Sequence, residues 1–320
     1  MTDPLLPDHS FVAARGLGVH SLLGFDLVVP DLPLAERFYR GFGLAVGSGP
    51  QGLVLSVPGQ ATRVATLTEG SAKRLQQLVF GAFAKDLPHF AARLEQQGIP
   101  RVAPPAGEPA DSLWFRDPDG LLLGLRAAAL PPVPLPPEPT RTPQPGRRSA
   151  VFRDEAPASR VLRLAHVMVF VSDLWPAIGF YRDVLGLRLT DEVGGHVAFL
   201  HAPHGSDHHI LALLKSTGPG LHHCSWDVGS VDAIGHGATQ MAGLGYREGW
   251  GLGRFVLGSN YFHYVRDPWG SYSEYVSHTD WIPAGTDWPG QSHRAERAFY
   301  LWGPGPPPDF SVNHELKKTP

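Results

Sequence analysis

The sequence predicts an α+β protein of two tandem domains, each built from a pair of βαβββ modules. Three observations lead there. The chain repeats itself, a proline-rich segment separates the copies, and within each copy short apolar strands alternate with single helices. The first copy contains Leu23-Gly24-Phe25-Asp26-Leu27-Val28-Val29-Pro30-Asp31-Leu32 and then Phe38-Tyr39-Arg40. The second contains Leu164-Ala165-His166-Val167-Met168-Val169-Phe170-Val171-Ser172-Asp173-Leu174 and then Phe180-Tyr181-Arg182. Leu75-Gln76-Gln77 corresponds to Leu221-His222-His223, and Asp117-Pro118-Asp119-Gly120 to Asp267-Pro268-Trp269-Gly270. Overlaid, the copies put Gly24, Gln77 and Gly124 where His166, His223 and Glu274 stand.

The elements follow in order. Residues 1–18 read as an arm of uncertain structure. The first domain spans 18–129, with helices near Leu34–Phe42 and Leu87–Gln97. Residues 130–159 form a linker that opens with Leu130-Pro131-Pro132-Val133-Pro134-Leu135-Pro136-Pro137. Proline fixes φ and removes backbone donors, so this stretch should be extended and semi-rigid. The second domain spans 160–278. Its first strand, around Leu164–Val171, is apolar on both faces, as a covered strand should be. Asp173 is a plausible N-cap for the following helix, which Gly186 closes. Strands are expected at Val197–His201, Ile210–Leu214 and Leu221–Val228, then a helix from Val231 to Ala242. The last strands, Tyr261–Val265 and Tyr272–Val276, are joined by the Asp267-Pro268-Trp269-Gly270 turn. Residues 279–320 form an aromatic and proline-rich tail expected to pack on the second domain.

Composition bounds the function. The chain has 320 residues, enough for two domains with cores. A formal charge of -3 gives no reason to expect nucleic acid or an anionic membrane as a partner. No apolar run reaches the roughly 20 residues needed to span a bilayer. The N-terminus lacks the pattern of a signal peptide. The single cysteine, Cys224, rules out an intramolecular disulfide framework and fits a reducing cytoplasm.

The candidate chemistry lies in the second copy. His166 and His223 sit on the first strands of its two modules, and Glu274 sits on its final strand. Residues i and i+2 of a strand share a face, so all three can project into one cavity. Two imidazoles and a carboxylate leave about half of an octahedral shell open, the facial triad of non-haem Fe(II) oxygenases. A histidine on an apolar strand is usually just a core residue, and the chain has 16 of them. Here, however, the two histidines are homologous within the repeat. Glu274 would be costly on an apolar strand without a partner. The first copy lacks all three together. His222 and Cys224 flank His223 and, by strand alternation, face the other way.

These segments, with His209-Ile210-Leu211-Ala212-Leu213 and Gly253-Arg254-Phe255 running on to Tyr264 and Glu274, resemble the type I extradiol ring-cleavage dioxygenases of the vicinal oxygen chelate superfamily. The resemblance covers both copies and is strongest from Leu162 to Val276. It implies the vicinal oxygen chelate fold, with the active site in the C-terminal domain. It implies Fe(II), with Mn(II) as the other metal that accepts this ligand set. It implies a small aromatic diol and O2 as partners, and a homo-oligomer. It assigns proton transfer to His209, with the adjacent His208 as the alternative, and a substrate hydrogen bond to Tyr264. A common family pattern is Gly-Arg-His; here Phe255 stands in place of that histidine and cannot donate. Asn260, His263 and Trp250 are the remaining candidate substrate contacts. Two other functions stay open. A glyoxalase-like isomerase or a hydrolase of the same superfamily is one, although such isomerases usually gather four protein ligands. A non-catalytic binding protein is the other, although those are shorter and generally lack a full triad.

Overall fold

The computed structural model describes residues 16–137 and 144–316. Most of the expected arm, residues 1–15, lies outside the described residues, as do 138–143 of the linker and 317–320. The first half runs β1 (Ser21–Val29), α1 (Leu32–Phe42), β2 (Ala45–Gly49), β3 (Gly52–Ser56), β4 (Arg63–Glu69), β5 (Arg74–Ala82), α2 (Leu87–Gln96), β6 (Leu113–Arg116) and β7 (Leu122–Ala127). The second runs β8 (Arg163–Val171), α3 (Leu174–Leu185), β9 (Arg188–Val193), β10 (Val197–His201), β11 (Ser206–Asp207), β12 (Leu211–Lys215), β13 (Gly220–Asp227), α4 (Val231–Gly243), β14 (Gly249–Phe255), β15 (Tyr261–Arg266) and β16 (Tyr272–Ser277). The α+β class and the modular order expected from the sequence are borne out. Among the described residues no helix is long and apolar enough to cross a membrane.

Each half forms one mixed sheet around its own central antiparallel pair. The first sheet has the order β2-β3-β4-β1-β5-β7-β6. The second has β9-β10-β12-β8-β13-β16-β15-β14 in the same sense, extended at both edges by tail strands. One departure from the expected pattern occurs in the first half. Its second module has no strand corresponding to β14, only an isolated bridge between Val102 and Trp114. Pro104-Pro105 follows directly, and two prolines remove the donors a ladder needs.

Helix ends obey local chemistry. Asp31 caps α1 by accepting from the Leu34 N–H at 2.8 Å, and Gly43 closes it at φ 104°. Gly186 closes α3 at φ 71°, a left-handed conformation that favours glycine. The corresponding Asp173 is extended at the N-cap of α3, but its side chain makes no cap hydrogen bond.

The halves meet reciprocally. Tyr181 of α3 donates to Asp117 Oδ2 of the first half at 2.9 Å. Its counterpart Tyr39 of α1 lies against Asp267 and Ser273 of the second half. Phe42 and Tyr275 stack at 3.8 Å, and the Tyr275 hydroxyl donates to the Phe42 carbonyl at 2.9 Å.

The tail, from residue 279, threads along the second half. β17 (Trp281–Ile282) pairs with β11, β18 (Gln291–His293) with β9, and, after the short α5 (Ala295–Ala298), β19 (Tyr300–Trp302) with β14. Farther on, Phe310 packs into an aromatic cluster with Trp250, Phe262, Tyr264 and Tyr272. Glu315 accepts from the backbone N–H groups of Leu75 and Leu221 and pairs with Lys73, tying both halves to the tail.

The first half has filled the space at two of its three ligand positions, Gly24 and Gly124. Register aligns Gly24, Val79, Gly124 and Trp114 in one row across four strands. The Trp114 ring lies over Gly124, so a Cβ there would meet it at 2.6 Å. A Cβ on Gly24 would meet the Val64 carbonyl oxygen at 2.2 Å. Overpacking of this kind costs about 1–3 kcal/mol. Gly124→Ala is therefore expected to lower the urea midpoint at constant m-value. An unchanged midpoint would show that the Trp114 ring yields freely.

Candidate metal centre

The second half lines the same row with ligands. His166 on β8 faces Ser225 on β13, Ser225 faces Glu274 on β16, and Glu274 faces Tyr264 on β15. His223 lies two residues before Ser225 and shares its face. The side chains converge. His166 Nε2 is 3.1 Å from His223 Nε2 and 3.3 Å from Glu274 Oε2, and His223 Nε2 is 3.6 Å from the same oxygen. All three residues are buried, and Glu274 is 0% exposed. Neither Glu274 carboxylate oxygen accepts a hydrogen bond. A buried carboxylate that makes no hydrogen bond, facing two imidazole nitrogens, fits a divalent cation bound between them.

Protonation states agree with that fit. Burial, then the neighbouring His222 and His166, pushes the His223 imidazole well below 6.5. A neutral imidazole is the form that binds metal. Simple alternation would turn His222 away from His223. Instead β13 carries a bulge between Leu221 and His223, and His222 Nδ1 lies 2.6 Å from His223 Nδ1. Burial brings His222 down to about 3, so it too is neutral. Its Nε2–H donates to the Phe310 carbonyl at 2.8 Å. His222 Nδ1 must then accept, His223 Nδ1 must donate, and His223 Nε2 is left bare toward Glu274. Orientation of ligating histidines through their second nitrogen is the general rule at metal sites.

Of the two adjacent histidines, His209 lies against the centre. Its ring centroid is 4.1 Å from that of His166. Burial, with His166, His208 and His223 beside it, holds its imidazole well below the ordinary range. His208 stands one ring farther out, with Nδ1 3.0 Å from His209 Nδ1. The Tyr264 ring is 5.1 Å from that of His223. Burial, then the adjacent Glu274, pushes its hydroxyl well above 10. Tyr264 is therefore a donor throughout the neutral range.

The candidate substrate contacts divide. Trp250 stacks nearly parallel to Tyr264 at 5.7 Å. Phe255 stacks on Phe262 at 4.1 Å and reaches Tyr264 edge-on at 6.3 Å. These rings make an apolar wall beside the centre. Asn260 is buried with its amide oxygen unpartnered, and its backbone carbonyl accepts from the Phe255 N–H at 2.9 Å. His263 alternates with Tyr264 on β15 and so occupies the opposite face, away from the triad. Burial lowers its imidazole to about 4.

Residues outside the sequence-based set also reach the site. Asp191 on β9 accepts from His208, and Phe310 of the tail orients His222. Asp191 sits within Leu189-Thr190-Asp191-Glu192-Val193, where three polar residues inside a strand were a usable signal. Phe310 had none, because nothing local ties it to His222.

Residues 163–275 match the model of the Glyoxalase/Bleomycin resistance protein/Dioxygenase superfamily. The chain is 44% identical over 298 residues to Metapyrocatechase 2 of Cupriavidus necator, with 93% of each chain covered. Among solved structures, the Mn(II)-bound glyoxalase from Novosphingobium aromaticivorans superposes with a TM-score of 0.75 at 24% identity, covering 91% of this chain and 94% of that one. An extradiol ring-cleaving dioxygenase from B. fuscum superposes with a TM-score of 0.74 at 21% identity, covering 93% and 83%. At these identities the two structures bear on the fold alone.

Proposed function

The chain belongs to the Glyoxalase/Bleomycin resistance protein/Dioxygenase superfamily, and from that premise we propose that it is a non-haem Fe(II) extradiol dioxygenase. It opens a catechol-type ring beside the two hydroxyls, and both atoms of O2 enter the product. One observation carries the proposal: a fully buried Glu274 carboxylate with no hydrogen bond, facing two imidazole nitrogens 3.3 and 3.6 Å away. Similarity to Metapyrocatechase 2 along nearly the whole chain supports the extradiol class.

His166, His223 and Glu274 would hold the metal. Fe(II), when bound, supplies Lewis acidity toward the vicinal hydroxyls and the redox chemistry that O2 requires. The chain supplies the rest. His209 is neutral and takes the proton that a hydroxyl of the ring must lose. It later returns a proton to the opening ring as general acid. Tyr264, held protonated, donates to an oxygen of the diol. Trp250, Phe255 and Phe262 exclude water from that side and suit a flat ring. Phe255 cannot donate a hydrogen bond, so oxygen-side donation falls to His209 and Tyr264.

The test is anaerobic reconstitution with Fe(II), addition of catechol and substituted catechols, and then admission of O2. A yellow ring-fission product forming with one O2 consumed per ring is expected. Tight Fe(II) binding without O2 consumption on any diol would refute the dioxygenase.

A further inference from the structure

His209 belongs to a hydrogen-bonded row that runs from the metal centre to the protein surface. His209 Nδ1 lies 3.0 Å from His208 Nδ1, and His208 Nε2 lies 2.8 Å from Asp191 Oδ2. Asp191 Oδ1 in turn lies 2.6 Å from His293 Nε2. His208 is 1% exposed, whereas the His293 side chain is 25% exposed. Three chain segments therefore meet: β9 carries Asp191, the turn before β12 carries the histidine pair, and the tail strand β18 carries His293. Register places β18 directly beside β9, with Gln291 opposite Asp191. The row is braced from the sides. Phe199 packs on both histidines, Trp288 packs edge-on against His208, and Thr190 donates to the His208 carbonyl at 2.7 Å.

Proton positions along the row follow from the donor inventory. A carboxylate only accepts, so both His208 Nε2 and His293 Nε2 must donate to Asp191. Burial alone would raise the Asp191 carboxyl, but the hydrogen bonds from His208 and His293 outweigh it and hold the group below the usual range. One negative charge is thus shared by two imidazoles. His293 is the more exposed of the two imidazoles, whereas His208 is buried beside His209. With a single ring hydrogen, placed on Nε2 by Asp191, His208 has a bare Nδ1. The contact with His209 then requires hydrogen on His209 Nδ1. His209 Nε2 is left without a proton and, among the described residues, without a protein partner.

We propose that Asp191, acting through His208, fixes the tautomer of His209 so that its Nε2 is the basic atom beside the metal centre, with His293 closing the row at the surface. Asp191 and His208 are positioning residues; neither touches the reacting atoms. The proposal rests on the role of His209 given above, but the tautomer can be measured without it.

The experiment uses the full chain labelled with 15N-histidine, without metal, in two-bond 1H–15N correlation spectra. His209 is assigned by the signals that vanish in His209→Phe. The wild type is expected to show a protonated Nδ1 and a bare Nε2 at His209. Asp191→Ala is expected to give a mixture of tautomers. His208→Asn keeps an acceptor oxygen near the place of Nδ1 and is expected to retain the wild-type form. In the Fe(II)-loaded protein, Asp191→Ala is expected to lower kcat on catechol by about tenfold to a hundredfold with KM within about twofold. A wild-type His209 protonated on Nε2 overturns the proposal, whether or not any variant folds. So does an Asp191→Ala protein with an unchanged tautomer ratio or an unchanged kcat. If the loaded wild type turns over no diol, the dioxygenase assignment fails, while the spectra still decide the tautomer.

Discussion

Glu274→Gln is expected to abolish metal retention and at the same time to raise the melting temperature of the metal-free protein. The two effects have one cause. Glu274 is 0% exposed and neither oxygen accepts a hydrogen bond. Without a cation the carboxyl group is buried with its hydrogen-bonding capacity unmet, and a buried polar group left unsatisfied costs about 1–3 kcal/mol. Glutamine keeps the shape and removes the charge. With a cation present the balance reverses, because Glu274 is the sole anionic member of the triad. Loss of a residue that merely orients a ligand costs roughly 10–100-fold in affinity, and loss of a ligand itself should exceed that. Metal content after desalting and thermal melts in chelator measure the two sides. Wild-type metal stoichiometry in Glu274→Gln would remove Glu274 from the ligand set. A lower melting temperature of the chelated variant would mean that the carboxylate has a stabilising partner.

His209→Phe is expected to leave metal content intact and to lower kcat by about 10²–10⁴-fold, the usual worth of a positioned acid–base group. Phenylalanine preserves the ring packed at 4.1 Å on His166 and at 4.9 Å on Phe199, so the centre should keep its shape. Only the ionisable nitrogens are lost. Parallel iron assays and steady-state oxygen uptake separate the effects. Unaltered kcat would take His209 out of the chemistry, and loss of iron would make it part of the metal's support instead.

Much of this was legible in the chain. The repeat, the strand periodicity and the missing ligands in the first copy suffice to bring His166, His223 and Glu274 together, because strand geometry turns sequence spacing into facing directions. His209 came instead from the family resemblance, which left His208 beside it as the alternative. The features that escaped depend on breaks in periodicity or on distant segments. The bulge in β13 turned His222 toward His223 against simple alternation. Trp114 covers the Gly124 position through contacts that no local pattern announces. Pro104-Pro105 reduced an expected strand to a single bridge. Asp173 had the right residue type for a cap but forms no capping bond. His293 and Phe310 come from a tail whose pairing with β9 and whose docking on His222 are settled only by tertiary packing.

The tail has a consequence in time. Both histidine pairs are completed by residues that follow β16 in the chain: His293 closes the row behind His209, and Phe310 fixes the imidazole next to His223. A nascent polypeptide that has emerged from the ribosome as far as His278 already carries all three ligands but neither brace. Synthesis therefore delivers the ligands before the residues that orient the rings beside them.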